Sequence, residues 1–295
     1  MISVKNLQRL DAASALNILL AYVKRHIGFK NSKAEIRLRK IFSFLIENDC
    51  RLICREEDHF IARAKRSGLS EIKFHIREND FADSTVFKHI FSQNAYGTLA
   101  DLVLKTSGPG QVKYILDGGA NVGFASVFFA NRFPNSKILA VEPEAGNYKL
   151  LTRNLEINGL SERVKSIHGG LWSESRKLTI RNDFRSGTSD SFYLSESGKE
   201  EDRIQTYTIP ELMNAHGFKT IDILKLDIEG AELRLFTGKD IQQVLSLTKF
   251  IAVEIHDEFN ARDHIYSMLD AAGFSYFEDG ELTIGYNKNH LQANA

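Results

Sequence analysis

Four ionisable side chains in the C-terminal half of the sequence form two pairs, each with one residue between its members. Asp227 and Glu229 follow the apolar run 221–226, and Glu254 and His256 lie at the end of the apolar run 250–255. Alternate residues of a strand point to the same face. Because charges are rarely left at the ends of buried strands without a partner or a task, the spacing predicts a polar cluster at one edge of a sheet.

These residue types are suited to moving a proton. Histidine titrates near neutral pH, so His256 is the expected base, and Asp227 orients it or acts as the base itself, with Glu254 completing the catalytic set. A hydrogen-bonded structural histidine is the alternative for His256. A second alternative is a Mg²⁺ or Mn²⁺ ion held by Asp227, Glu254 and His256, although our primary assignment includes no metal.

A glycine-rich turn lies upstream, between a predicted strand at 114–116 and a predicted helix at 122–133. Its sequence is Asp117-Gly118-Gly119-Ala120-Asn121-Val122-Gly123-Phe124. Glycine lets the backbone turn sharply and approach a ligand, and asparagine tolerates the same left-handed geometry. Such turns are common to many nucleotide-binding proteins, so the turn alone predicts a nucleoside ligand without identifying it.

The neighbours of the turn narrow the choice of ligand. Asp117 at the strand tip disfavours a pyrophosphate and favours a ligand with an ammonium or sulfonium group, such as S-adenosylmethionine. Glu142 ends the second strand, where a carboxylate can accept hydrogen bonds from ribose hydroxyls. Leu171 and Trp172 follow the third strand and are expected beside the adenine, with core packing an equal alternative for Trp172. Tyr96 is expected to contact the charged donor or to cap its pocket.

Alternating apolar strands and amphipathic helices from residue 113 onward predict an α/β fold with a parallel sheet covered on both faces. The predicted strands continue at 137–141, 164–168, 221–226 and 250–255, and 274–277 and 281–286 form a final antiparallel pair. Residues 1–95 are predicted to form a mainly helical region with one hairpin, as a lid over the substrate. Residues 96–295 are predicted to form the cofactor-binding domain.

The amino-acid composition limits which binding partners and which cellular compartment we expect for this protein. The 295-residue chain has 38 basic and 38 acidic residues, so it has no field that would recruit nucleic acid, and we predict no such partner. The apolar run 12–23 is too short to span a bilayer, which argues against stable membrane insertion. Two cysteines in a chain of this size are typical of a reducing compartment, and we predict a cytoplasmic protein. The sequence leaves a homo-oligomer open.

Several segments together resemble the FkbM family of class I S-adenosylmethionine-dependent methyltransferases. The run Leu-Lys-Leu-Asp-Ile-Glu-Gly-Ala-Glu at 224–232, followed by Val-Glu-Ile-His at 253–256, is the most specific part. Shorter matches lie at Leu116–Phe124, Ala140–Pro143 and Asn154–Leu160, and the resemblance covers roughly residues 84–257. It implies a Rossmann-like, seven-stranded, mostly parallel sheet with its last strand antiparallel, and methyl transfer to a hydroxyl group.

The resemblance also implies roles for single residues. Gly119 and Gly123 would line the methionine part of S-adenosylmethionine, Glu142 would hold the ribose, Leu171 would lie on the adenine side, and Asp227 would lie by the methyl donor. Residues 1–80 match no family known to us, so the family's substrates do not transfer directly to this chain.

The sequence therefore predicts an S-adenosylmethionine-dependent O-methyltransferase acting on a small molecule such as a sugar, glycolipid or polyketide. An NAD-linked oxidoreductase is the first rival, and it is disfavoured because the Gly-x-Gly-x-x-Gly spacing is absent. A non-catalytic binding protein that retains the fold is the second, since a fold alone does not establish activity.

Overall fold

The computed structural model describes residues 3–56, 58–78, 82–108, 110–181, 193–196 and 203–291. The chain divides into two compact units, Met1–Gln93 and Asn94–Ala295. Among the described residues, no helix is both long enough and apolar enough to cross a membrane.

The N-terminal unit combines helices with a small antiparallel sheet. Ser32 and Glu35 form a reciprocal capping box that fixes the start of the third helix. The helices are α1 (Val4–Leu7), α2 (Ala12–His26), α3 (Lys33–Glu47) and α4 (Ala82–Phe87), which continues into a π-helical turn at Lys88–Ser92. The sheet has the order β1-β2-β3, formed by Cys50–Arg55, His59–Ala64 and Ile72–Arg77.

The sheet adds one strand to the predicted hairpin. Strands β2 and β3 pair antiparallel from His59 opposite Arg77 to Ala64 opposite Ile72, as the sequence indicates. Strand β1 was not predicted, because only two of its residues are buried and its exposed positions break the alternation that marks a strand. Helices nevertheless make up more of this unit than strands.

The C-terminal unit is built on a seven-stranded sheet with the order β13-β14-β12-β11-β4-β5-β6. Six strands run parallel, and β14 lies antiparallel between β12 and β13. The predicted Rossmann-like α/β fold, including the antiparallel last strand, is confirmed. The strands are β4 (Tyr114–Gly118), β5 (Lys137–Glu142), β6 (Val164–His168), β11 (Ile221–Leu226), β12 (Thr248–Glu254), β13 (Phe274–Asp279) and β14 (Leu282–Asn287).

The central strands form where apolar runs are flanked by helices with one apolar stripe. Every residue of β11 is buried, as expected for a strand covered on both faces. A capping box between Thr208 and Glu211 starts helix α8 (Ile209–His216), and Gly217 ends it in left-handed geometry. The helices are α5 (Gly97–Ser107), α6 (Phe124–Arg132), α7 (Ala145–Ile157), α8 (Ile209–His216), α9 (Glu232–Phe236), α10 (Ile241–Ser246), α11 (Arg262–Ala271) and α12 (Lys288–Leu291).

A second, four-stranded sheet has the order β7-β10-β8-β9. Its strands are β7 (Gly170–Leu171), β8 (Lys177–Arg181), β9 (Tyr193–Ser195) and β10 (Arg203–Tyr207). The sequence predicts irregular antiparallel strands across 177–208, and β8 pairs antiparallel with both β9 and β10. Residues 182–192 and 197–202 of that prediction lie outside the described residues.

One carboxylate joins the starts of three central strands. Asp222 on β11 is 3% exposed and accepts hydrogen bonds from the backbone N–H groups of Lys113 and Tyr114, at 2.7 and 2.9 Å. Its other oxygen lies 2.7 Å from Nζ of Lys249 on β12. The carboxylate thus satisfies donors on both neighbouring strands.

Replacing this carboxylate should destabilise the sheet. In Asp222→Ala the two backbone donors lose their acceptor, and we expect the free energy of unfolding to fall by about 2 kcal/mol in denaturant titrations. The matched control is Asp263→Ala on α11, an exposed acid, which should change stability by less than about 0.5 kcal/mol. Equal stability of the two variants would contradict this account.

Candidate functional site

The turn between β4 and α6 places three residues in left-handed geometry, Gly119 (φ 71°), Asn121 (φ 50°) and Gly123 (φ 86°). A Cβ on Gly119 would lie 1.7 Å from the carbonyl oxygen of Asp227, and one on Gly123 would lie 2.5 Å from Cδ1 of Leu151. Glycine is therefore required at both positions, because the turn packs directly against the end of β11 and against α7.

The backbone donors of this turn are bonded within the protein. The N–H groups of Gly119 and Ala120 donate to the carbonyl oxygen of Val141 at 3.0 and 2.9 Å, and that of Gly123 donates to Ala120 at 2.8 Å. The N–H of Asn121 donates to Glu142 Oε2 at 2.8 Å, and that of Val122 donates to Asn121 Oδ1 at 2.7 Å. A pyrophosphate would find none of these five donors available.

The expected ligand contact of Asp117 is not supported by its position. Asp117 is 0% exposed, beneath the turn and without access to the crevice. Ser126 Oγ donates to its Oδ2 at 2.6 Å, and Lys225 Nζ lies 3.1 Å from its Oδ1. Its charge supports the turn from below.

Lys225 is a site residue that the sequence analysis missed. This lysine, 2% exposed, donates to the carbonyl oxygens of Gly118 and Gly119 at 3.1 and 2.7 Å and lies 3.8 Å from Asp227. Burial alone would lower the pKa of Lys225, but Asp117 and its other neighbours outweigh burial and raise it. The available signal was a lysine inside an apolar strand, which requires a buried acid on an adjacent strand.

Glu142 lies at the end of β5, as predicted, and faces the turn. Its Oε2 accepts from Asn121, and its Oε1 accepts from the N–H of Glu144 at 2.9 Å and from Asn147 Nδ2 at 3.5 Å. A carboxylate has about four acceptor positions, so these three bonds leave capacity for a ligand hydroxyl. Burial raises the pKa of Glu142 to about 7, against the lowering effect of these hydrogen bonds.

Leu171 and Trp172 occupy different surroundings. The side chain of Leu171 lies over Gly118, with Cδ1 at 2.5 Å from where a Cβ on that glycine would be. Trp172 is 5% exposed and packs in a cluster with Leu178 and Ala231. Of the two interpretations of Trp172, these contacts favour core packing over adenine stacking.

Tyr96 and Phe124 are both buried near the turn. Tyr96 is 5% exposed, and its ring centroid lies 5.1 Å from that of Phe129 on α6. Burial raises the pKa of its hydroxyl; Lys225 opposes this rise and Asp227 adds to it. Phe124 is 1% exposed and begins α6. Tyr96 therefore belongs to the same electrostatic neighbourhood as the ends of β4 and β11.

The predicted acidic cluster forms around His256. Nε2 of His256 lies 3.4 Å from Glu229 Oε2 and 3.7 Å from Glu254 Oε1. Nδ1 is 2.9 Å from Oε1 of Glu232, a fully buried residue that the sequence analysis did not assign a role. The same Glu232 oxygen accepts from the N–H groups of Ile228 and Gly230, so it organises the turn that carries Asp227 and Glu229.

The surroundings of His256 change its expected chemistry. Burial alone would lower the pKa of His256, but the neighbouring carboxylates of Glu229 and Glu232 and the other nearby charges raise it to about 11. Burial raises the pKa of Glu254 to about 8, with Asp227 adding to the rise and His256 opposing it. A histidine titrating near neutrality was expected, and that expectation is wrong because the carboxylates stabilise its protonated form.

A cavity of about 390 Å³ adjoins this cluster. Glu254 and His256 contribute to its wall, and Arg262 is the only Lys or Arg among the described residues that line it. The remaining charged lining residues are acidic: Asp257, Glu258, Glu278 and Glu281. The wall therefore favours an uncharged or cationic guest over an anion.

One protein family matches more than half of the chain. A family model described as "Methyltransferase FkbM domain" matches residues 117–276. Methyltransferase sdnD of Sordaria araneosa is 28% identical over 225 residues, covering 66% of this chain and 83% of that protein. Methyltransferase 1 of Beauveria bassiana is 24% identical over 181 residues, covering 55% and 72%. The solved METTL16 MTase domain aligns with a TM-score of 0.46 and 10% identity, over 86% of this chain and 80% of that one.

The raised pKa of Glu142 predicts a pH dependence of nucleoside binding. Only the ionised carboxylate accepts a hydroxyl with full strength, and with a pKa of about 7 its ionised fraction rises between pH 6 and pH 8. We expect the affinity for S-adenosylhomocysteine to increase by up to about tenfold over this range in calorimetry. In Glu142→Gln the carboxylate is gone, so affinity should be lower at pH 8 and nearly independent of pH; an unchanged pH profile in that variant would rule out this role.

Proposed function

Because this chain belongs to the FkbM methyltransferase family, we propose that it transfers a methyl group from S-adenosylmethionine to a hydroxyl oxygen of a small molecule. The family match spans residues 117–276, more than half of the chain. The glycine turn, Glu142 and the acidic cluster lie within this span.

The choice of cofactor is supported mainly by the bonded amides of the glycine turn. The backbone donors of residues 119–123 are engaged by Val141, Glu142 and the turn itself. A dinucleotide needs such donors for its phosphates, whereas S-adenosylmethionine has no phosphate. Glu142 retains acceptor capacity for a ribose hydroxyl, which a phosphate-free nucleoside supplies.

In this proposal the methionine part of the donor lies along the turn and the end of β11. Gly119 and Gly123 offer backbone without side chains, and Tyr96 and Phe124 form the apolar surroundings. Asp227 is adjacent to Gly119 through its backbone, and its side chain is 29% exposed. Its carboxylate attracts the positively charged sulfonium, and Leu171 covers Gly118 on the adenine side.

We place the acceptor in the cavity beside Glu254 and His256. Its acidic wall supports a neutral or cationic small molecule with hydroxyl groups. The acceptor oxygen forms a bond to the methyl carbon while the carbon–sulfur bond breaks, and the bonding electrons pass to sulfur, giving S-adenosylhomocysteine. Holding these atoms in line accounts for much of the rate.

The hydroxyl proton has to leave during this step, and Glu254 is its acceptor in our proposal. The Glu254 side chain is 22% exposed and lies 3.7 Å from His256 Nε2 at the end of β12. His256 was the first choice from the sequence, but its Nδ1 is engaged by Glu232 and its ring is held among carboxylates. His256 and Asp227 therefore orient the acceptor and the donor around Glu254.

The cofactor assignment predicts selective binding. In calorimetry S-adenosylhomocysteine should bind with one site per chain, and NAD should give no measurable heat at the same concentrations. The reason is that the backbone N–H groups of residues 119–123 are already bonded within the protein and are not available to the NAD phosphates. The assignment fails if NAD binds and S-adenosylhomocysteine does not.

The catalytic assignment predicts a loss of turnover without a loss of cofactor affinity. We expect Glu254→Gln to lower methyl transfer from labelled S-adenosylmethionine into a small-molecule extract by about 10²–10⁴-fold, the usual contribution of a general base. S-adenosylhomocysteine should bind the variant as it binds the parent. Asp263→Asn on α11 is the matched control and should retain full turnover; full turnover in Glu254→Gln would remove Glu254 from the mechanism.

A further inference from the structure

Three side chains at the ends of β11 and β12 present ligand atoms to one point. A carboxylate oxygen of Asp227, a carboxylate oxygen of Glu229 and a ring nitrogen of His256 all lie within 4.8 Å of one another. This differs from the set suggested by sequence alone, because Glu229 takes the place of Glu254. The turn after β11 makes the difference, since it holds Glu229 in left-handed geometry at φ 50°.

The contacts of His256 are those typical of a metal-binding histidine. Its side chain is 1% exposed, and Nδ1 is fixed at 2.9 Å from Glu232, a carboxylate with no exposure. A carboxylate on one ring nitrogen orients the imidazole and makes the other nitrogen a better ligand. Within the described part of the chain, Nε2 has no hydrogen-bond partner although it is buried and aimed at the acids.

The spacing around Nε2 suits a shared ion better than a direct hydrogen bond. Nε2 is 3.4 Å from Glu229 Oε2, whereas a charge-assisted hydrogen bond is about 2.7–2.9 Å long. Two ligands that each lie about 2.1 Å from one ion are about 3.0–3.5 Å apart when they are neighbours in its shell. The ligand atoms of the three side chains are separated by at most 4.8 Å, so ion binding would bring the widest-spaced pair closer together.

We propose that Asp227, Glu229 and His256 bind a divalent first-row metal ion. Mn²⁺ is the ion that best fits two carboxylates and one imidazole. Carboxylates suit hard ions, and an imidazole favours a transition metal over Mg²⁺ or Ca²⁺. Three protein ligands leave coordination positions for water or for an acceptor oxygen from the adjoining cavity. Glu232 is a positioning residue that acts through His256.

The role of the ion rests on the proposed methyl transfer, although its binding does not. An acceptor hydroxyl on the ion would be oriented toward the donor, and its pKa would be lowered. The proton would pass to Glu254, the oxygen would form its bond to the methyl carbon, and sulfur would leave with the carbon–sulfur electrons. No oxidation or reduction accompanies these changes.

The test is Mn²⁺ binding by the full chain without cofactor or acceptor. Titration followed by electron paramagnetic resonance should give one site per chain, and pulsed measurements should show coupling of the ion to a ¹⁴N nucleus. His256→Gln should abolish the ¹⁴N coupling, and Glu229→Gln should weaken binding at least tenfold. Glu232→Gln should weaken it by about 10–100-fold while the coupling persists, as expected when an orienting partner is lost.

Asp263→Asn is the matched control, because it removes an exposed acid on α11 and should leave Mn²⁺ binding unchanged. Thermal melts identify any variant that fails to fold, and the parent spectrum alone still tests nitrogen ligation. Absence of a Mn²⁺ site, or a site without ¹⁴N coupling, overturns the proposal. S-adenosylhomocysteine binding is measured separately, so the ion site and the proposed function can fail independently.

Discussion

The buried ion pair between Lys225 and Asp117 holds together the two strand ends on which the site is built. The two side chains come from adjacent central strands and are 2% and 0% exposed, and Nζ lies 3.1 Å from the carboxylate. The same ammonium binds the carbonyl oxygens of Gly118 and Gly119. Removing either charge would leave the other buried without compensation, a far larger penalty than the pair itself contributes in stability.

This pair links the two turns to which our proposal assigns the methyl donor and the acceptor. It fixes the turn after β4 from below, and the missing Cβ of Gly119 lets that turn contact the backbone of Asp227. The N–H of Asp227 then donates to the carbonyl oxygen of Gly118 at 3.1 Å. The glycine turn and the turn that carries the acids are therefore joined directly, and in our proposal this contact sets the distance between donor and acceptor.

The sequence predicted the sheet and most of the cluster because both depend on local patterns. Apolar runs gave the strands, and alternate spacing indicated that Asp227, Glu229, Glu254 and His256 would meet. The errors concern partners that are distant in the sequence. Asp117 was expected to face a ligand because its partner Lys225 is 108 residues away, and the pKa of His256 was misjudged because Glu232 approaches it only after α9 folds. Periodicity identifies which face a residue occupies, but it does not identify the group it meets there.

The two groups of buried charged residues differ in their balance of positive and negative charge. The balanced group supports the fold, and the group with excess negative charge is the one suited to chemistry. Beneath the turn, Lys225 and Ser126 engage both oxygens of Asp117, and the group is closed to ligands. Around His256, carboxylates of Glu229, Glu232 and Glu254 surround one imidazole, and the wall of the adjoining cavity is also mainly acidic. Concentrating like charges in a partly buried site does not stabilise a fold, because their mutual repulsion opposes folding. An excess of negative charge persists where a bound cation, a cationic ligand or a transferred proton compensates it, and in our proposal it lies where the methyl acceptor binds.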